Sequence, residues 1–136
     1  MKFLLLIHYD EQAFEVRSDK GPILAECGQF VEEATARGQY LGGAQLHPTS
    51  TATSVRVRDG KRLVTDGPFA ETGEQLAGYV LIDAKNLDEA IAVAGRLPPA
   101  RFGTIEVRPI LEDKGPADGE RVAEMSHGAK GERNAG

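Results

Sequence analysis

An almost uninterrupted apolar run opens the chain, KFLLLIHY at residues 2–9. Only Lys2 and His8 break it, so a strand formed here would be apolar on both of its faces. Strands of that kind are typical of the interior of a sheet that is covered on both sides. We therefore expect this segment to be an interior strand, with the other elements arranged around it.

The first predicted helix follows a loop over residues 10–22, in which residues 11–17 could form one helical turn. Gly38 ends its helical pattern, since glycine just beyond the last periodic residue is a helix stop. Its apolar positions recur at helical spacing and should share one face: Ile23, Leu24, Cys27, Phe30, Val31 and Ala34.

A second helix is predicted over residues 87–97. Asn86 and Glu89 have the spacing of a helix start, in which a side-chain oxygen accepts a hydrogen bond from a free backbone N–H. We expect its buried face to consist of Leu87, Ile91 and Ala94.

The clearest alternation in the chain lies at residues 55–64, VRVRDGKRLV. Valine alternates with arginine before Asp59-Gly60, and Leu63 and Val64 follow that dipeptide. Asp-Gly between two such runs is a strong signal of a β-hairpin. Further strands are predicted over residues 39–46, 76–84 and 104–111, and the Gly42-Gly43 pair in the first of these indicates a bulge or a close backbone approach.

With the hairpin set aside as an insertion, the order is strand, helix, strand, strand, helix, strand. This order predicts an α+β fold of the ferredoxin-like, split βαβ type, with two helices on one face of the sheet. We expect apolar residues such as Val55, Val57 and Val107 to lie beneath the helices. Charged residues such as Glu106 and Arg108 should lie on the open face, which a second copy of the chain would cover in a homodimer.

Residues 1–111 are expected to form the single domain and residues 112–136 a disordered polar tail. The tail has five glycines, ten charged residues and only two large apolar side chains. Such a composition cannot bury enough apolar surface to offset the entropy of ordering.

Composition also excludes several classes of function. The single cysteine excludes an internal disulfide, and the three histidines lack the spacing of a metal site. A net charge of −5 argues against nucleic acid as a partner. Because no apolar run is long enough for a membrane helix or a signal peptide, we expect a cytoplasmic protein without membrane contact. The glycine pair matches no phosphate-binding pattern, so no nucleotide or other cofactor is predicted.

An unusual loop follows the hairpin, DGPFAET at residues 66–72. Gly67 permits a bend, Pro68 fixes the backbone, and Phe69 could anchor the loop to a core. A rigid loop of this kind can position the carboxylates of Asp66 and Glu71 for chemistry. The alternative is a stiff turn in which Asp66 only accepts hydrogen bonds from nearby backbone amides.

At this motif the sequence resembles the YCII-related family, in the subgroup named for its Asp-Gly-Pro-Phe motif. The resemblance covers roughly residues 1–111 and includes MKFLLLIHYDE, FVEEATARG and IEVRPI. It implies a dimeric α+β barrel. It also implies small enzymes with a histidine and aspartate pair in a cleft, one member of which removes chloride from a hydroxylated ring. The histidine position of that pair holds Cys27 here, so the pair's chemistry is not carried over.

Seven residues form the candidate site. Asp66, Glu71 and His8 are the candidate catalytic groups, and Arg108, Glu106, Phe69 and Tyr79 are the candidate substrate-binding groups. His8 can exchange protons near neutral pH, because the ordinary pKa of histidine is about 6.5. Structural alternatives stay open for several of them: His8 as a half-buried strand residue, Glu106 and Arg108 as an ion-pair network between protomers, and Tyr79 as a packing residue. Cys27, outside this set, is expected to be a small core residue.

Two functions remain open at this stage, beside a third possibility that the domain is vestigial or purely structural. One is a cofactor-free acid/base enzyme of the lyase, isomerase or hydrolase type, acting on a small polar or phenolic molecule in the barrel cleft. The other is a non-catalytic dimer that binds a small molecule or serves as an accessory or regulatory protein.

Overall fold

Strand β1 (Lys2–Tyr9) lies in the interior of a four-stranded antiparallel sheet in the computed structural model, which describes residues 1–112. The other helices and strands are α1 (Glu11–Glu15), α2 (Lys20–Ala36), β2 (Tyr40–Gln45), β3 (Thr53–Arg58), β4 (Lys61–Asp66), β5 (Gln75–Asp83), α3 (Leu87–Gly95) and β6 (Thr104–Pro109). Short 3₁₀ turns lie at Thr49–Thr51 and Pro98–Arg101.

The strand order is β2-β5-β1-β6, and each strand runs antiparallel to its neighbours. This is the predicted ferredoxin-like order, with β3 and β4 forming a separate two-stranded hairpin. The α+β fold with an inserted hairpin is therefore confirmed. The polar tail predicted from residue 112 onward lies outside the described residues, except for Glu112 itself.

The core lies between one face of the sheet and the helices α2 and α3. Because side chains alternate along a strand, Phe3 and Leu5 of β1 share this face, and both are almost completely buried. The rest of the core comes from β5, the two helices and the residues just after β5 and α3: Val80, Ile82, Ala84, Phe30, Ala34, Ala90, Val93, Ala94 and Leu97.

The buried face of α3 agrees with the prediction at Ala94, which is buried, and differs from it at the other two positions. Leu87 and Ile91 are 51% and 53% exposed, whereas Ala90 and Val93 are fully buried. The helix has apolar residues on more than one side, so periodicity alone could not choose between them. Its start is confirmed, because Asn86 Oδ1 accepts a hydrogen bond of 2.9 Å from the N–H of Glu89.

Helix α2 begins at Lys20, three residues before the predicted start at Ile23. Pro22 therefore lies in its first turn. Proline is tolerated there, since the N–H groups of a first turn have no acceptor within the helix.

The hairpin has the predicted turn but not the predicted packing. Asp59 and Gly60 both have positive φ angles, 53° and 74°, as a two-residue type I′ turn requires. The expectation that Val55 and Val57 lie beneath the helices is wrong, because the hairpin is outside the main sheet and these valines are 58% and 55% exposed.

The opposite side of the main sheet, which we call the helix-free face, has no helix of residues 1–112 packed on it. In β6 the predicted division is confirmed: Val107 pairs with Leu5 on the helix side, and Glu106 pairs with Leu6 on the other. The register assigns these side chains to the helix-free face: Leu4, Leu6, His8, Leu76, Tyr79, Leu81, Glu106 and Arg108.

We expect Leu5→Ala to lower the free energy of unfolding by about 2–5 kcal/mol, because it leaves a cavity in a fully packed region. Leu5 has no exposed surface, whereas Leu87 is half exposed. The matched substitution Leu87→Ala should therefore change stability by less than about 1 kcal/mol. Urea unfolding of both variants measures the difference, and equal losses would contradict this assignment of the core.

Candidate functional site

A cavity of about 240 Å³ lies between α2 and the helix side of the sheet. Its walls come from β1, β2 and β5 on the sheet side and from α1, α2 and the 3₁₀ turn after α3 on the other. Most of the lining is apolar, including Ile23, Leu24, Phe30, Val31 and Leu97.

Three aromatic rings form one end of the cavity. The Tyr9 ring centroid lies 4.8 Å from that of Phe14 and 5.6 Å from that of Phe102. Phe14 and Phe102 are stacked with centroids 5.7 Å apart, and the Arg17 guanidinium lies 4.4 Å from the Phe102 centroid. Such pairs stabilise beyond simple burial, so this end of the cavity is a firm wall.

Side-chain hydrogen bonds hold the short helix α1 that supplies Phe14. Asp10 Oδ1 accepts bonds from the N–H groups of Gln12 and Ala13, which caps the helix. Glu11 accepts bonds from the N–H and the hydroxyl of Thr49, at 3.0 and 2.8 Å. These contacts are needed because a helix of five residues is not stable alone.

Small residues of β2 and β5 leave the space that the cavity occupies. A Cβ on Gly43 would lie 2.6 Å from the Tyr79 carbonyl oxygen, and one on Gly78 would lie 2.8 Å from the Ala44 carbonyl oxygen. Both positions require glycine, because real Cβ atoms do not approach so closely. Of the two alternatives predicted for the Gly42-Gly43 pair, the close backbone approach is therefore confirmed at Gly43, and the strand register shifts just before the pair, between Tyr40 and Gly42.

The polar groups of the cavity are neutral. The side chains concerned are Tyr9, Tyr40, Gln45 and Cys27, and no acidic, basic or histidine side chain of residues 1–112 belongs to the lining. Burial raises the pKa of Tyr9, the nearby Glu11 carboxylate and Cys27 act in the same direction, and the neighbouring Gln45 amide opposes them. The phenol therefore stays protonated at physiological pH.

The thiol of Cys27 also stays protonated. Burial is the main cause that raises its pKa, the Glu26 carboxylate adds to the effect, and Arg101 acts against it. Cys27 is half-buried on the wall of the cavity, not only a packing residue of the helix. A protonated thiol is a weak nucleophile.

The structure brings three of the predicted site residues together on the helix-free face. His8 Nε2 lies 3.3 Å from Glu106 Oε1, and Arg108 Nη1 donates a hydrogen bond of 3.2 Å to Glu106 Oε2. The His8 contact has the distance of an ion pair without hydrogen-bond geometry, since this Nε2 has no hydrogen-bond partner among residues 1–112. We call these three residues the His8 cluster.

The other predicted residues are not joined to the His8 cluster. Asp66 ends β4, and Glu71 lies in the loop that follows; both are exposed and form no side-chain hydrogen bond or ion pair with the rest of residues 1–112. Tyr79 contributes to the cavity wall, although its register opposite Leu6 assigns its ring to the helix-free face. The expectation that Phe69 anchors the loop is wrong, because its side chain is 80% exposed.

Sequence reasoning missed most of the cavity. Phe14, Phe102, Tyr40 and Gln45 were not predicted as site residues, because nothing in their spacing reveals that they converge. Gly43 carried the available signal, since a glycine pair within a strand indicates an unusual backbone approach. The glycine pair indicated a position in the chain, but it could not show that a cavity lies beside that position.

Fold and cavity define a small ferredoxin-like α+β protein with a neutral cavity between a helix and its sheet. Residues 1–114 match the YCII-related domain family, and the chain belongs to this family. It is 49% identical over 114 residues to an uncharacterised protein of Rhizobium meliloti (strain 1021). The alignment covers 81% of this chain and 92% of that protein.

Among solved structures, the chain is similar to that of an enzyme. This is 5-chloro-2-hydroxyhydroquinone dehydrochlorinase from Burkholderia phenoliruptrix AC1100, in complex with 2,5-dihydroxybenzoquinone. The sequence identity is 14% and the TM-score is 0.49, with 83% of this chain and 96% of that chain covered.

Two further observations concern the described residues as a whole. No helix within residues 1–112 has the length and hydrophobicity needed to cross a bilayer. Nor do three or more His, Cys, Asp or Glu side chains of this part of the chain come together in a way that could hold a metal ion.

We expect the Cys27 thiol to require a higher pH than an ordinary cysteine for half-maximal reaction with a thiol reagent. Its raised pKa means that less thiolate is present at any given pH. Rates measured against pH in the native protein test this, and the urea-unfolded chain is the control because it exposes the same single thiol. A native curve displaced to lower pH would contradict the assignment.

Proposed function

We propose that the protein binds a small, uncharged, mostly apolar molecule in the cavity beneath α2. The ligand class that fits best is a single substituted ring bearing a hydroxyl or carbonyl group. The observation that carries this proposal is the lining, which combines aromatic and aliphatic walls with neutral hydrogen-bonding groups and contains no charged residue of the described chain.

The volume supports a ligand of this size. An apolar cavity of about 150 Å³ is sufficient for benzene, and drug-sized ligands occupy about 300–1,000 Å³. The cavity of about 240 Å³ lies between these limits. A single ring with a few substituents therefore fits, whereas a dinucleotide does not.

The absence of charge in the lining favours a neutral ligand. Removing an anion from water is very unfavourable unless a cation or several hydrogen-bond donors receive it. Arg17, at the aromatic end, is directed onto the Phe102 ring and hydrogen-bonded to Asp19, so its charge is already compensated. A carboxylate or phosphate ligand would meet no cationic side chain of residues 1–112 in this cavity.

The neutral polar groups can orient such a ligand. A protonated Tyr9 hydroxyl can donate a hydrogen bond, and the Gln45 amide can donate or accept one. The raised pKa of Tyr9 keeps that donor available throughout the physiological range. An apolar body with one polar substituent would thus be held in a single orientation.

Screening neutral ring compounds by thermal shift tests this proposal, because a ligand that binds only the folded state raises the melting temperature. Among compounds with a hydroxyl or carbonyl group, we expect Tyr9→Phe to weaken binding by about tenfold, the effect of one lost hydrogen bond. Tyr79→Phe, which removes a hydroxyl from the helix-free side, should change affinity by less than about twofold.

Two results would contradict this proposal. One is a screen in which only anionic compounds stabilise the protein. The other is an equal loss of affinity in Tyr9→Phe and Tyr79→Phe, which would mean that the ligand does not lie on the helix side of the sheet.

A second candidate function is acid/base catalysis at the His8 cluster. The observation that favours it is the approach of His8 to Glu106, whose carboxylate also accepts a hydrogen bond from the 65% exposed side chain of Arg108. In this proposal His8 exchanges a proton with the substrate, Asp66 or Glu71 of the neighbouring protomer is the base, and a homodimer encloses the site. We further propose that the Asp-Gly-Pro-Phe loop assigns the chain to the subgroup named for that motif. The protein would act in the cytoplasm.

If the His8 cluster is catalytic, His8→Gln should lower the turnover of a hydroxylated aromatic substrate by about 100-fold or more, the usual contribution of a general acid or base. Binding in the cavity should not change, because His8 does not line it. Turnover and thermal shift measured on the same variant separate the two functions. Unchanged turnover in His8→Gln would exclude this second candidate.

A further inference from the structure

We propose that residues 20–27, the first half of α2, form a lid that opens the cavity to solvent, with a hinge at Gly28 and the Glu26–Arg101 ion pair as its latch. This inference concerns the cavity itself and does not depend on the class of ligand proposed for it. It rests on where these residues lie, on how weakly they are attached, and on a glycine that packing does not require.

The lid forms part of the helical wall of the cavity. Ile23, Leu24 and Cys27 line the cavity from this half of the helix. Ile23 is the one buried side chain among residues 20–27, whereas Leu24 is 54% exposed and Cys27 is half-buried. An outward movement of this half would therefore open the cavity while uncovering little of the core.

The second half of α2 is held more firmly. Phe30 and Ala34 are buried in the core, and Val31 packs against it. Just beyond the helix, the Gln39 N–H donates a hydrogen bond of 2.8 Å to the Ala34 carbonyl. Buried apolar contacts set the stability of a segment against local opening. The first half can therefore move while the second half stays in place.

The start of α2 has none of the usual stabilising features of a helix end. Asp19 stands at the capping position, but its carboxylate forms no capping bond and instead accepts two hydrogen bonds from Arg17, at 2.9 and 3.0 Å. The first turn contains no acidic side chain to interact with the helix dipole, and it includes Gly21. The free N–H groups of this turn thus lack a side-chain acceptor among residues 1–112.

Gly28 is the central residue of α2, which runs from Lys20 to Ala36. A Cβ at this position would meet no neighbouring group within 4 Å, so packing does not require a glycine there, in contrast to Gly43 and Gly78. Glycine inside a helix lowers the helical equilibrium about fivefold relative to alanine. A residue that weakens the helix at the boundary between its loosely and firmly held halves provides the backbone freedom of a hinge.

The latch joins the lid to the opposite wall of the cavity. Arg101 Nη2 donates a hydrogen bond of 2.6 Å to Glu26 Oε1. Arg101 ends the 3₁₀ turn Pro98–Arg101, and the neighbouring Pro99 and Phe102 line the cavity. Both charged side chains are about half exposed, so the pair changes an opening equilibrium only a few-fold. Such a contact can break and re-form without unfolding of the domain.

The latch can be tested by labelling Cys27 with N-phenylmaleimide, because Cys27 is the single thiol of the chain and lies on the wall that the lid forms. We expect Glu26→Gln and Arg101→Gln each to label about two- to fivefold faster than wild type, since each variant frees the lid.

Charge effects on the thiol alone would give a different result. The Glu26 carboxylate raises the pKa of Cys27 and Arg101 lowers it. Without a latch, Glu26→Gln would therefore label faster and Arg101→Gln more slowly. Changes of opposite sign, or no change in either variant, would overturn the latch.

Gly28→Ala tests the hinge. Alanine favours the helical, closed form, so labelling of Cys27 should slow about fivefold. Gly95→Ala is the matched control, because Gly95 is a helical glycine of α3 with equally open surroundings, and it should label within about twofold of wild type. A wild-type rate in Gly28→Ala would exclude the hinge. Equal slowing in both variants would mean that labelling reports unfolding of the whole domain, which would also contradict the lid.

Hydrogen exchange gives a second measurement that needs neither a ligand nor a thiol reagent. In the full wild-type chain, the amides of residues 24–27 should exchange at least about tenfold faster than those of residues 31–36. Gly28→Ala should slow exchange in the first set only. Equal protection of the two halves would contradict the lid. A failed ligand screen would leave these results unchanged, so the lid and the proposed ligand class are tested separately.

Discussion

The alternation of side chains along β1 is the constraint on which the rest of the structure depends. Phe3 and Leu5 face α2 and α3 and are buried with them, whereas Leu4 and Leu6 face the side without helices. A single helical layer can cover only one face of a sheet. The core and cavity consequently lie on one side and the His8 cluster on the other, so the two candidate sites are separated by the sheet itself.

The cavity exists because large and small residues are distributed unevenly along the helix side of the sheet. Phe3 and Leu5 fill the space near one end of β1, while Gly43, Ala77 and Gly78 leave it open near the other. Aromatic rings from α1 and the last 3₁₀ turn close the end without filling the middle. Packing, not a motif, thus creates the space.

Local patterns could predict the order of elements, since the apolar run of β1, the Asp59-Gly60 turn and the Asn86 cap each depend on neighbouring residues. Features that depend on distant residues could not be predicted. The buried face of α3 is decided by which side meets the sheet, and the cavity requires six separate elements to converge. Phe69 illustrates the same limit, because a rigid motif does not reveal whether a core lies beside it.

The connection between β2 and β5 extends well beyond what antiparallel neighbours need, because a short turn could join them directly. The chain instead leaves the sheet after Gln45, forms the hairpin, and returns at Gln75. At the base of the hairpin, the Gly67 N–H donates a hydrogen bond to the Ala52 carbonyl. Lengthening, shortening or rewriting this excursion leaves every strand pair of the main sheet intact. Members of one lineage can therefore diverge in the hairpin itself, residues 53–66, while inheriting the same cavity, because no residue of the hairpin lines it.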